Sequence, residues 1–143
     1  MSTSFIGQNN LSRGVRNNNP GNIRPNPAFK WAGEIGQEGG YVIFIDVEHG
    51  IRAMRKDLTN KIVKDHLNTL DLYISKYAPP EDGNDTQAYI NKVSQLTGFI
   101  HNQPLTADKL TLFKLVKAHI QVEDGKDYKL ITDKMIQDGI DLM

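Results

Sequence analysis

The run from Arg13 to Arg24, RGVRNNNPGNIR, most narrows what this chain can fold into. Three consecutive asparagines, a Pro-Gly pair and a fourth asparagine suit neither a helix interior nor a central strand. Pro20 fixes its own φ and lacks an amide donor, Gly21 tolerates the positive φ of a type II turn, and asparagine side chains bond nearby backbone groups. The segment is therefore a loop that holds polar groups in set places. A structural turn needs only one or two such residues. The surplus of amides, with guanidiniums at both ends, also fits a surface that binds a ligand rich in hydroxyls, and on these residues alone both readings stand.

Beyond this loop the periodicity is regular. Phe29 to Ile45, FKWAGEIGQEGGYVIFI, places aromatic and β-branched residues around a glycine-rich centre and predicts a short hairpin turning near Gln37 to Gly40. Ile51, Met54, Leu58 and Ile62 then recur at helical spacing. Thr69 reads as the N-cap of a second helix with Leu70, Tyr73, Ile74 and Tyr77 on one face, stopped by Pro79 and Pro80. Asp85 or Thr86 caps a third carrying Tyr89, Ile90, Val93 and Leu96, which Gly98 ends. Thr106 starts a fourth through Leu110, Phe113, Val116 and Ile120, and a final helix from about Asp127 buries Ile131, Met135 and Ile140. With no linker or repeat, residues 1–143 form a single domain, mainly α in an α+β arrangement, with about five helices and one small β-hairpin.

Charge and composition exclude several function classes. Lysine plus arginine equal aspartate plus glutamate at 17 each, which argues against nucleic acid as a partner. The first 33 residues nevertheless hold no acid, with Arg13, Arg16, Arg24 and Lys30 as their bases. No apolar run approaches the roughly 20 residues of a membrane span, so no membrane insertion is expected, and the N-terminus lacks the basic-then-apolar pattern of a signal peptide. There is no cysteine. His49, His66, His101 and His119 do not fall at metal-site spacings with acids, so neither a metal nor another cofactor is expected. Asp82, Asn84 and Asp85 around Gly83 lack the ligand series of a calcium loop, and helix capping is the stronger reading.

Glu123 is the candidate for acid chemistry. It ends the fourth helix, in AHIQVEDG, where the negative end of the helix dipole disfavours the ionised form. A carboxylic acid that keeps its proton is what protonation of a glycosidic oxygen requires. A solvated carboxylate at a helix end is the alternative from position alone.

RGVRNNNPGNIR, Trp31 and Gly33, the strand YVIF, GIRAM, YAPPEDGNDTQAYI and AHIQVEDG together resemble small bacteriophage and prophage virion-associated proteins of the lysozyme-like superfamily. The resemblance runs from about Ser12 to Tyr128. NDTQAYINKV is similar to the lytic transglycosylase segment in which a tyrosine, here Tyr89, lies beside the catalytic acid, and AHIQVEDG is similar to the helix end that carries this acid. In ordinary members the acid precedes the binding loop and hairpin, whereas here it follows them, which implies a circularly permuted order.

The resemblance implies cleavage of peptidoglycan glycan strands, as a lytic transglycosylase or a muramidase. Glu123 would be the general acid, and Glu34 and Glu38, flanking the hairpin, the candidates for a second carboxylate. Asn18, Asn19 and Asn22 would bond acetamido and hydroxyl groups, with Arg24 on the same loop, and Trp31 or Tyr89 would lie against a sugar face. The partners would be bacterial peptidoglycan and neighbouring virion proteins. The location would be the virion, or the host cytoplasm before delivery, with action in the periplasm and cell wall. The other reading is a non-catalytic lysozyme-like virion component that binds glycan or serves a structural role. Val122 and Asp124 beside Glu123 depart from the family pattern, where histidine and asparagine tend to flank this glutamate.

Overall fold

A computed structural model of the chain describes residues 2–83 and 85–143. The order is α1 (Arg13–Arg16), β1 (Glu34–Glu38), β2 (Tyr41–Phe44), α2 (Val47–Thr59), α3 (Leu70–Tyr77), α4 (Thr86–Thr97), α5 (Lys109–Glu123) and α6 (Asp133–Asp141). The protein is mainly α with one antiparallel hairpin, as its periodicity predicts. Five helices are sizeable, and α1 is a single turn.

Each long helix starts on a side chain that accepts a bond from the backbone amide three residues on. Asp46 takes His49 N, Thr69 takes Leu72 N, Asp85 takes Ala88 N, Asp108 takes Thr111 N and Thr132 takes Met135 N. These caps satisfy amides that have no partner within the helix. Asp85 thus has a capping role, while Asn84 and the Asp82 side chain lie outside the described residues. Two starts differ from the sequence expectation. Asp108 caps α5 while Thr106 bonds the Asp108 carboxylate, and Gly125–Leu130 forms a 3-10 turn before α6 begins. In both cases a better-placed acceptor, Asp108 or Thr132, takes the capping position.

The hairpin closes through Gly39 and Gly40, both at positive φ as a two-residue type I′ turn requires. Its strands pair Glu38 with Tyr41 and Gln37 with Val42, and a shift between Glu34 and Gly36 marks a bulge. The apolar faces meet in one cluster that includes Val15, Phe44, Ile51, Met54, Leu115 and Ile136. Each such side chain contributes roughly 1.5–3 kcal/mol by leaving water.

The asparagine loop lies along β2 like an irregular third strand. Asn17 O accepts from Phe44 N, and Ile23 O accepts from Val42 N. Asn18, in the left-handed region at φ 56, is fully buried; its Nδ2 donates to Phe44 O and Ser4 Oγ while its Oδ1 accepts from Phe5 N. Asn19 is equally buried, with Nδ2 donating to Ile23 O and Val42 O and Oδ1 accepting from Ile23 N. On the other side α2 presses against the loop at Gly50. A Cβ there would stand 2.0 Å from Asn18 O, so only glycine fits.

The Asn19 side chain bonds three buried backbone groups at once, of which Ile23 O alone keeps another donor, Val42 N. Asn19→Ala should lower stability by about 3 kcal/mol, since each stranded group costs roughly 1–3 kcal/mol, whereas the exposed Asn10→Ala should change it by less than about 0.5 kcal/mol. Urea unfolding monitored by circular dichroism distinguishes the two.

Candidate functional site

Glu123 reaches the surface at the C-terminal end of α5, half-buried between the asparagine loop and α4. Its Oε1 accepts from Asn22 Nδ2 at 2.9 Å and its Oε2 from the Tyr89 hydroxyl at 2.7 Å. Asn22 reaches it from the left-handed backbone at φ 52, a conformation asparagine tolerates better than most residues. A loop residue 101 positions away and a residue of a different helix thus fix the two oxygens of one carboxyl group.

Behind Tyr89 lies a buried hydrogen-bond chain. The Tyr89 hydroxyl sits 2.7 Å from His119 Nδ1, and the Tyr73 hydroxyl 2.7 Å from His119 Nε2. Burial keeps His119 neutral by lowering its pKa to about 3, and the charge of Lys61 adds to the effect. Tyr89 has one proton and donates it to Glu123, so His119 Nδ1–H must donate to Tyr89, leaving Nε2 to accept from Tyr73. Burial also raises the phenols of Tyr73 and Tyr89 well above the ordinary value, so both stay protonated donors.

Asp124 follows Glu123 but points inward. It is 3% exposed, and neither carboxyl oxygen finds a hydrogen-bond partner. Burial raises its pKa to about 9, aided by the charges of Glu123 and Asp127, so it is a neutral acid near pH 7. From the sequence Asp124 adds a like charge beside Glu123; in the structure it holds a proton instead. It packs over Gly14, where a Cβ would lie 2.3 Å from Asp124 Oδ1 and 3.1 Å from Asn22 Oδ1. Gly14, Asp124 and Asn22 therefore share one crowded space.

Glu123 faces a groove with two lobes. The smaller, about 90 Å³, is lined by Asn22, Arg24, Tyr41, Tyr77, Ala78 and Glu123. The larger, about 260 Å³, continues past Asn22, Arg24 and Tyr77 to Trp31, Asp57, Lys61 and Lys76. Gly21, Asn22, Arg24 and Tyr77 border both, which makes the groove continuous. The Tyr77 hydroxyl donates to Gly21 O at 2.7 Å, and its phenol, already raised by burial, is raised further by the charges of Glu123 and Asp57. Asp57 pairs with Lys61 Nζ at 2.6 Å. Trp31 is half-buried, edge-on to Phe29, with its indole N–H bonded to Arg24 O.

The structure thus brings together Glu123, Asn22, Arg24, Trp31 and, through its hydroxyl, Tyr89. It does not bring Asn18 and Asn19 to the groove, because their amide groups are spent inside the protein. Tyr89 is buried, so it touches the acid and not a sugar face. Glu34 and Glu38 line neither lobe. Glu34 Oε1 accepts from Trp31 N, and Glu38 is ion-paired with Arg16, whose hydrogen bond holds its carboxyl below the ordinary range. Among the described residues, the carboxylate that shares the groove with Glu123 is Asp57. Asp57 and His119 escape a sequence reading, although the spacings Asp57–Lys61 and His119–Glu123 each place a pair on one helix face.

Over 123 residues the chain is 36% identical to Protein P5 of Pseudoalteromonas phage PM2, a match that covers 83% of this chain and 75% of that protein. The chain belongs to the family of this phage protein. No protein-family model matches it. No helix among the described residues is long and apolar enough to cross a membrane.

The two buried groups set opposite pH dependences. Asp124 keeps its proton in the fold while the unfolded chain releases it above about pH 3.8, so its contribution to stability falls as pH rises toward about 9. His119 stays neutral in the fold while the unfolded chain takes up a proton below about 6.5, so its contribution falls as pH drops toward about 3. Between these limits each changes stability by up to about 1.4 kcal/mol per pH unit. Thermal unfolding should show a loss of stability above about pH 6.5 that Asp124→Asn removes and His119→Gln does not.

Proposed function

We propose that this protein cleaves the glycan strands of peptidoglycan, with Glu123 as the general acid. The observation that carries the reading is the placement of this one carboxyl group: it ends a helix, faces a groove and is oriented by Asn22 and Tyr89. Protonation of a glycosidic oxygen needs an acid held at a fixed angle to the bond it breaks. Asn22 and Tyr89 fix that angle, and the buried chain through His119 to Tyr73 holds the Tyr89 hydroxyl in place.

The groove suits an extended chain of sugars. Trp31 offers an apolar face at one end, and Asn22, Arg24, Lys61 and Lys76 offer donors for hydroxyl and acetamido oxygens. A lytic transglycosylase needs no second carboxylate, because the sugar's own 6-hydroxyl attacks the anomeric carbon and closes an anhydro ring while Glu123 takes back the proton. In a muramidase, Asp57, which lines the larger lobe in its ion pair with Lys61, is the second groove carboxylate that would direct water. Membership in a phage protein family fits delivery of the activity by a virion, with neighbouring virion proteins as partners.

Purified peptidoglycan incubated with the protein should release soluble muropeptides, and Glu123→Gln should slow their release by about a hundredfold or more, the usual contribution of a positioned general acid. Mass spectrometry of the fragments assigns the reaction: anhydro ends for a transglycosylase, reducing ends for a muramidase. Release by neither protein, with binding retained, would make it a glycan-binding virion component instead.

A further inference from the structure

We propose that Arg13 and Arg24, stacked on Tyr41 at the rim of the groove, bind a carboxylate carried by a substituent of the glycan, so that the protein prefers anionic to neutral aminosugar strands. This rests on the glycan-cleaving reading above and adds to it the chemical class of the substituent recognised.

The Arg13 guanidinium carbon lies 4.1 Å from the Tyr41 ring centre and that of Arg24 4.6 Å. Arg24 Nη2 also bonds the Tyr41 hydroxyl at 3.2 Å. One residue comes from the start of α1, one from the end of the asparagine loop and the tyrosine from β2, so three separate segments converge. Two positive charges on one ring repel each other, and among the described residues neither guanidinium has an ion-pair partner. Glu38, whose carboxyl responds to Arg13, is committed to Arg16. An anion bound at either guanidinium would offset this excess of positive charge, and stacking on the ring holds their planar donors ready, which limits the entropy lost on binding.

The surroundings leave room for such a ligand. Both arginines are exposed residues, and beside them the hairpin turn is bare: Cβ atoms on Gly39 and Gly40 would stand 3.3 Å and 3.4 Å from Arg13 Nη1 and Arg24 Nη1. Tyr41 and Arg24 also line the lobe that holds Glu123, so the pair is adjacent to the proposed point of cleavage. Further along the groove Lys61 is engaged by Asp57, which leaves the arginine pair as the anion site near Glu123. Glycans of muramic acid carry carboxylates on their lactyl ethers or on the peptides attached there, whereas chitin-type strands carry none.

The test is equilibrium binding by titration calorimetry in the Glu123→Gln background, which keeps the ligand intact. Three probes are compared: chitooligosaccharide, peptide-free glycan strands with lactyl carboxylates, and strands that retain their peptides. At low salt one or both anionic strands should bind at least roughly tenfold more tightly than the neutral one, the effect of one charge-assisted hydrogen bond. The preference should shrink as salt rises and disappear in Arg13→Gln/Arg24→Gln. Preference for the peptide-free strand assigns the lactyl carboxylate, and preference confined to the peptide-bearing strand assigns the peptide. Equal binding of all three, or a preference that survives high salt, overturns the proposal while leaving glycan binding in place; the salt series does not depend on how the double variant folds. Binding of none of the three removes the glycan reading and this proposal together.

Discussion

The side chains of Asn18 and Asn19 do for this fold what a hydrogen-bonded strand does in a larger sheet. Each amide group bonds backbone or hydroxyl groups of separate segments, and together they tie the first loop to β2 and to residues 4 and 5. The two-stranded hairpin offers too few ladder bonds to fix that loop alone. With the loop fixed, Asn22 is fixed too, and Glu123 gains its first partner. Gly50 of α2 then closes on Asn18 O at a distance no other residue permits. The geometry at Glu123 is therefore set by buried amides that do not reach the groove.

Around this anchor the protein buries ionisable groups that most folds keep at the surface. Asp124 stays protonated and His119 stays neutral, because burial without an opposite charge favours the uncharged form of each. Neutrality has a structural consequence in both places. A neutral His119 donates on one side and accepts on the other, and so links Tyr73 to Tyr89, which an imidazolium cannot do. A neutral Asp124 sits behind Glu123 without placing another negative charge directly beside it. The cost is stability on either side of a window from about pH 4 to about 6.5, within which the two dependences oppose each other.

Much of this was legible in the sequence. Thr69, Asp85 and Gly98 mark helix ends through their own side-chain or backbone chemistry, and Gly39-Gly40 marks the hairpin turn, so a local reading finds them. Glu123 and Asn22 also stand out, one as a carboxylate at a helix end and the other in a dense polar loop, while Tyr89 comes from the resemblance to the lytic transglycosylase segment. Legibility stopped at orientation. A run of asparagines reads the same whether it faces solvent or the interior, and only the path of β2 turns Asn18 and Asn19 inward. Glu34 and Glu38 were attractive as acids near a hairpin, yet hydrogen bonding to Trp31 and pairing with Arg16 engage both outside the groove. Asp57 was hidden because a carboxylate four residues before a lysine is the ordinary pattern of a surface helix. Only the crossing of α2 behind Tyr77 brings it into the same groove as Glu123.

The most direct measurement is a crystal structure of Glu123→Gln soaked with an oligomer of alternating N-acetylglucosamine and N-acetylmuramic acid. Glu123 as the working acid requires the strand to lie along the groove from Trp31 toward Tyr41, with one glycosidic oxygen within hydrogen-bond distance of residue 123 and with Asn22 still bonded to that side chain. A strand bound elsewhere on the surface, or seated in the groove with no glycosidic oxygen near residue 123, would contradict it.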